Sequence, residues 1–295
     1  MNITVIGPGA IGVLLAYKLA NEENKISILV KPEHEHLIKQ KKIRIKDMTG
    51  KIVDKKINII TKLNKTDLVI LAVKSYDVEN LLNQIKEIDT PILCCQNGLQ
   101  TLNLLKNKIR PNLLSYMVTG TGSSKIEAGF SHHNGGGFTF LGQIEGENGV
   151  TIKNISQSLS VRGIVCEIVE NIPDYIWLKA IINSAINPIA TINRVKNGEL
   201  KNKKLIIQVK NICEESTKIA QKIGIKLPLN PWKEVMTIIA KTAENKCSML
   251  QDIENQQKTE IDAINGEFVR IAMANNLDAK HNKSAIAKIK KLTDT

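Results

Sequence analysis

Aromatic residues are scarce: Phe, Trp and Tyr make up 3% of the 295 residues, so Ile, Leu and Val must fill the cores. No apolar run approaches the ~18 residues of a membrane span, so no membrane partner is expected. The five cysteines, Cys94, Cys95, Cys166, Cys213 and Cys247, are an odd set with no CxxC pair and no metal-ligand spacing. That usage suits a reducing compartment. The first residues read directly into a strand, without the basic start, apolar stretch and cleavage site of a secretory signal, and a cytoplasmic protein is expected by elimination. The lysine runs at 39–42, 51–56, 201–204 and 288–291 lack interleaved aromatics that would stack bases, so they read as solvated surface and no nucleic-acid partner is expected. His132 and His133 have no third ligand at useful spacing, and no metal is expected.

What is present fits a globular protein. Hydrophobic residues make up 42% and charged residues 24%, far from the disordered combination of low apolarity and high charge. The length exceeds the ~100–200 residues of one domain and predicts two. Lys and Arg number 41 against 29 Asp and Glu, and the net charge of +12 suits an anionic ligand without choosing among a phosphorylated cofactor, a carboxylate and nucleic acid.

Short apolar runs at Ile3–Ile6, Ile26–Val30, Leu68–Val73, Ile92–Cys95 and Leu114–Val118 alternate with amphipathic stretches, the pattern of a doubly wound parallel sheet. Around Ile126–Leu141 the pattern changes to short strands with a glycine turn at Gly135, Gly136 and Gly137, and a further strand, Gly163–Val169, is expected to close the domain. Strand signals then vanish, and helix-period segments separated by Pro188, Pro228 and Pro231 predict a second, all-helical domain. The expected division is an α/β, Rossmann-type dinucleotide-binding domain over 1–170 and an all-α substrate and catalytic domain over 171–295.

The run Gly7-Pro8-Gly9-Ala10-Ile11-Gly12 follows the first strand and opens a helix. Its G-x-G-x-x-G spacing permits a tight turn, close approach of backbone to a pyrophosphate, and close helix packing. An acid at the end of the second strand would bind a ribose 2′-hydroxyl; Lys31 stands there instead and favours NADPH, with His34 and His36 as helpers, unless it is only one more exposed lysine. Lys74 and Asn97 follow two further strands and would share the ligand-binding edge of the sheet, although Asn97-Gly98 also reads as a plain turn.

Lys179, Asn183 and Asn187 recur every four residues in an otherwise apolar helix, which puts them in an ~80° wedge of one face. Burying such groups is costly unless a polar ligand meets them. Pro188 predicts that the helix bends or stops at Asn187. Ser248 and Gln251, then Thr259 and Asp262, have capping-type spacing, so Ser248 reads as a cap and Glu260 as a dipole partner when taken alone.

Taken together, Ala243-Glu244-Asn245, Ser248-Met249-Leu250-Gln251-Asp252, Thr259-Glu260-Ile261-Asp262 and Ile264-Asn265-Gly266, with the Lys-x3-Asn-x3-Asn-Pro helix, the glycine motif and Gln96-Asn97-Gly98, resemble the ketopantoate reductase family over nearly the whole chain. The resemblance implies NADPH-dependent reduction of 2-dehydropantoate to (R)-pantoate, a step toward pantothenate and coenzyme A. It implies Lys179 as general acid, Asn97, Asn183, Asn187, Asn245 and Ser248 on the substrate, and Glu260 orienting it. The glycine motif, Lys31, Lys74, Asn97 and Glu260 would meet the cofactor. Lys31 departs from the arginine often found there and lacks its bidentate fork.

The chemistry agrees, since hydride arrival at a ketone leaves an alkoxide that a lysine ammonium can protonate. Burial lowers a lysine's pKa from ~10.4, and a carboxylate such as Glu260 opposes that. The expected site is the cleft between the domains, the expected partner a small keto acid, and a homodimer is left open. Rival readings are a reductase of another 2-keto or 3-hydroxy acid and a non-catalytic cofactor- or nucleic-acid-binding protein.

Overall fold

The computed structural model describes residues 1–146 and 149–293. They fall into two compact units: Met1–Gln96 with Leu104–Ile172, and Asn97–Asn103 with Pro173 onward. A single break near residue 170 therefore misses the stretch Asn97–Asn103, which goes with the helical unit. Residues 294 and 295 of the second expected domain lie outside the described residues.

Up to Ile168 the chain runs β1 (Asn2–Ile6), α1 (Ala10–Leu19), β2 (Lys25–Leu29), α2 (Glu35–Gln40), β3 (Lys42–Lys46), β4 (Ile52–Lys56), β5 (Asn58–Ile60), β6 (Leu68–Leu71), α3 (Val78–Ile85), β7 (Ile92–Cys94), α4 (Gln100–Lys106, whose first turn belongs to the second unit), β8 (Leu114–Thr119), β9 (Gly122–Glu127), β10 (Phe130–Gly135), β11 (Thr139–Gln143), α5 (Val150–Ser160) and β12 (Cys166–Ile168). Eight strands form one sheet in the order β12-β11-β8-β7-β6-β1-β2-β5, and four form a second in the order β4-β3-β10-β9. From β5 to β8 the larger sheet is parallel, and β11 joins β8 antiparallel. The chain steps from β1 outward to β2 and β5, then returns to β6 on the other side, which makes the end of β1 the switch point where ligands bind in such sheets.

The sequence reading missed β3, β4 and β5, because lysines masked the alternation. In Lys42-Ile43-Arg44-Ile45-Lys46 the two isoleucines are 1% exposed, while Lys42 and Arg44 reach across to Asp54 on β4, each at 2.8 Å. Those hydrogen bonds, Arg44 first, hold the Asp54 carboxyl down at about 2. The smaller sheet explains α1, whose sequence AIGVLLAYKL is apolar on nearly every side: it packs against β1 and β2 and also against β3, β9 and β10. A helix between two sheets has no wet face to keep polar. The glycine turn is also corrected. The β9–β10 hairpin turns at Ala128 and Gly129, whereas Gly135–Gly137 carry the chain from β10 to β11 in the other sheet.

The second unit is helical: α6 (Ile172–Asn193), α7 (Lys203–Lys222), α8 (Pro231–Lys241), α9 (Ser248–Glu254), a π turn at Asp262–Gly266 that runs into α10 (Glu267–Ala274), and α11 (Lys280–Thr293). No helix among the described residues is long and apolar enough to cross a membrane. Of the two outcomes expected at Asn187, a bend or a stop, the stop does not occur: α6 continues through Pro188. Proline has no N–H for the carbonyl of Ser184 four residues back. Asn265 supplies the missing donor: its Nδ2 lies 3.0 Å from the Ser184 carbonyl and 2.9 Å from Asn282 Oδ1. Asn282 Nδ2 donates in turn to Glu215 Oε1 at 2.8 Å and Ser216 Oγ at 3.2 Å. Ser184, Ser216, Asn265 and Asn282 are all fully buried.

Removing Asn265 strands two buried acceptors, each costing ~1–3 kcal/mol. Asn265→Ala is expected to lower unfolding free energy in urea by about 2–4 kcal/mol. Pro188→Ala in that background should recover part of the loss by restoring the N–H to the Ser184 carbonyl.

Candidate functional site

In the first unit the expected site residues lie around the ends of β1, β2 and β6. Gly7 has φ +110°, and a Cβ there would sit 2.8 Å from Val73 Cγ1 and 3.1 Å from the Ala72 carbonyl. At Gly12 a Cβ would meet the Gly7 carbonyl oxygen at 2.0 Å, so both glycines are demanded by packing. Gly9 differs: a Cβ there would find only the Ala72 carbonyl oxygen, at 4.0 Å. Gly9 is the N-cap of α1 and no side chain caps that end. Room at Gly9 before an uncapped helix N-terminus is the setting in which backbone N–H groups, here those of Gly9, Ala10, Ile11 and Gly12, could hold a pyrophosphate. Pro8 braces the turn, its carbonyl accepting from the Gly129 N–H at 3.0 Å.

Lys31 follows β2, with its side chain 63% exposed, and its Nζ lies 3.6 Å from Asp77 Oδ1. Sequence reading missed Asp77, because only the fold brings the residues after β2 and β6 together. His34 is held below its ordinary pKa by burial, reinforced by the positive charge of Lys125, His36 and Lys31 and opposed by Glu33. Lys74 is half-buried and begins the 3₁₀ turn Ser75–Asp77, its carbonyl accepting from the Asp77 N–H at 3.0 Å. Gln96 is 7% exposed, and its Nε2 donates to the carbonyls of Leu71 at 2.9 Å and Val73 at 3.2 Å.

In the second unit, Lys179 and Asn183 are half-buried and Asn187 is buried, so the polar stripe on α6 passes from the surface into the interior. Two loops are tied to it or to the π turn. The Asn187 carbonyl accepts from Thr191 Oγ1 at 2.7 Å and from Cys247 Sγ at 3.6 Å. Cys247, not Ser248, caps α9, its sulfur accepting from the Leu250 N–H at 3.4 Å. Burial pushes the Cys247 thiol up, which keeps it protonated for its bond to Asn187. Ser248 is thus released from capping and lies exposed, as does Asn245. The Asn245 carbonyl accepts from the N–H of Asn197, a buried residue the sequence reading did not single out.

Asn97 and Glu260 meet directly: Asn97 Nδ2 donates to Glu260 Oε2 at 3.3 Å, and Glu260 is 5% exposed. Gly98 makes this possible. Its φ is +80°, and a Cβ would lie 2.4 Å from the carbonyl oxygen of Ala263 in the π turn, which accepts from the Leu99 N–H at 3.1 Å. Asn103 Nδ2 adds a bond to Glu267 Oε2 at 2.9 Å. Asn97 thus follows a sheet strand, as expected, while its side chain serves the helical unit. Among the described residues no group of three His, Cys, Asp or Glu could hold a metal ion.

This arrangement has relatives. Residues 3–146 match the family described as ketopantoate reductase PanE/ApbA, and residues 171–293 match its C-terminal counterpart. The chain is 33% identical over 286 residues to the 2-dehydropantoate 2-reductase of Pyrococcus horikoshii, covering 96% of this chain and 94% of the relative. It is 28% identical over 300 residues to the enzyme of that name from Escherichia coli O157:H7, covering 99% and 95%. Among solved structures, D-mandelate dehydrogenase with NADH and anilino(oxo)acetate aligns at TM-score 0.87 with 25% identity, covering 100% of this chain and 98% of the other. A PanE/ApbA family ketopantoate reductase from Ralstonia eutropha JMP134 shares the fold at TM-score 0.87 with 22% identity, over 100% and 99%. With both of its units matched in order and relatives aligned nearly end to end, the chain belongs to the ketopantoate reductase family.

Proposed function

We propose that this chain reduces 2-dehydropantoate to (R)-pantoate with NADPH, with Lys179 as the proton donor, a step toward pantothenate. The observation that carries the reading is the α6 stripe, a lysine and two asparagines at four-residue steps in a stretch, Ile176–Pro188, whose other residues are apolar apart from Ser184. The names borne by the relatives supply the substrate. A reduced nicotinamide supplies the hydride that such a reduction consumes.

The remaining chemistry falls to this chain's side chains. As the carbonyl carbon becomes tetrahedral, negative charge grows on its oxygen, and the Lys179 ammonium stabilises that charge and then gives up a proton. Asn183, Asn187, Asn245 and Ser248 offer uncharged donors that bind a hydroxy acid without competing for the proton. Glu260, fixed by Asn97, orients the substrate.

A second reading, reduction of another 2-keto acid with NADH, is favoured by the likeness to D-mandelate dehydrogenase. A panel of keto acids offered with NADPH and with NADH separates the two. Highest kcat/KM for 2-dehydropantoate with NADPH is expected, and highest kcat/KM for phenylglyoxylate, the keto form of mandelate, would decide for the second.

Lys179→Ala is expected to lower kcat by about 10²–10⁴-fold, the range of general acid catalysis. NADPH affinity should stay within about twofold, since the substitution leaves the glycine cradle intact. Unchanged turnover in that variant would remove Lys179 from the mechanism.

A further inference from the structure

We propose that Asp77 sets how strongly this chain discriminates NADPH from NADH, by competing with the 2′-phosphate for the ammonium of Lys31. The proposal rests on the dinucleotide reading above and deepens it.

The geometry comes from the sheet. β1 lies between β2 and β6, and strands stand ~4.8 Å apart, so the ends of β2 and β6 are ~10 Å apart. Lys31 stands two residues past the end of β2, and Asp77 closes the 3₁₀ turn that follows β6. Their side chains meet at 3.6 Å, so the pair reaches across the end of β1, beside the glycine turn. A dinucleotide laid on that turn runs its adenosine ribose toward the end of β2. The lysine that would read a 2′-phosphate there already has a carboxylate partner.

The strength of this contact suits a selector. With side chains 63% and 30% exposed, the pair is solvated, and such pairs are weakly held. An arriving phosphate can therefore take Lys31 over, but it must displace or sit beside a negative charge. NADH brings only a hydroxyl, which a carboxylate tolerates and can accept from. The other groups do not remove the conflict: His34 is pushed toward its neutral form by burial and by nearby positive charge, and Lys125 is exposed. Asp77 thus does from the β6 side part of what an acid at the end of β2 does in NAD-selective sheets.

The experiment is dinucleotide binding, followed by nicotinamide fluorescence at low ionic strength, for the unaltered chain, Asp77→Asn, Lys31→Ala and the double variant. Asp77→Asn is expected to tighten NADPH about three- to tenfold with NADH within about twofold. In the Lys31→Ala background the same change should move the NADPH to NADH affinity ratio by less than about twofold. A ratio that Asp77→Asn leaves unmoved overturns the proposal, as does a shift of equal size without Lys31. Failure of the unaltered chain to bind either dinucleotide overturns the functional reading and this one with it. A preference for NADH in the unaltered chain overturns only the coenzyme preference above, and a swing toward NADPH in Asp77→Asn then still supports the role of Asp77.

Discussion

The helical unit depends on one hydrogen bond, from Asn265 to the carbonyl of Ser184. Pro188 follows Asn187 directly on α6 and leaves that carbonyl without its helical donor in a fully buried place. An unanswered carbonyl there would favour breaking the helix, and the polar stripe would end at a frayed terminus. With the amide of Asn265 answering it at 3.0 Å, α6 continues past Pro188 and Asn187 has helix on both sides. The answering residue lies in the π turn that follows Glu260, so the same bond fixes the segment on which that carboxylate sits.

The two units secure their functional residues by different physics. Around the glycine turn the means is steric: Gly7 and Gly12 are forced by contacts no side chain could survive, while Gly9 has room beside it. Around α6 the means is polar. Amides and hydroxyls are bonded to one another or to backbone, as in the path from Glu215 through Asn282 and Asn265 to Ser184. Such a network in a low-dielectric interior is costly if one member fails, which makes it specific about geometry. Cys247 belongs to this second kind, its protonated sulfur serving as helix cap and as donor to Asn187.

Much of this was legible beforehand. The glycine turn, the parallel strands and the change to helices all follow from local periodicity. Three features were not. The β3–β4 hairpin hid behind lysines, although Ile43 and Ile45 alternate with them and face inward. The run of α6 through Pro188 could not be foreseen, because the compensating donor lies 81 residues away from Ser184. The partnership of Lys31 with Asp77 likewise needs the sheet order, since nothing local relates residues after two strands that are not consecutive. Side chains that act on their own neighbours were readable, and those that answer a distant backbone group were not.

The chain leaves the sheet-bearing unit at Asn97, gives seven residues to the helical one, and comes back at Leu104 before departing for good at Pro173. The helical unit is therefore assembled from two separate stretches of the chain rather than one. A gene fragment that starts at Pro173 would encode helices with the Ala263 carbonyl bare and Glu260 stripped of its amide, while the complementary fragment would trail a loop whose glycine is shaped for a surface it no longer has. Shuffling of these halves among proteins would have to carry that loop along, which ties the inheritance of the sheet-bearing half to that of its helical companion.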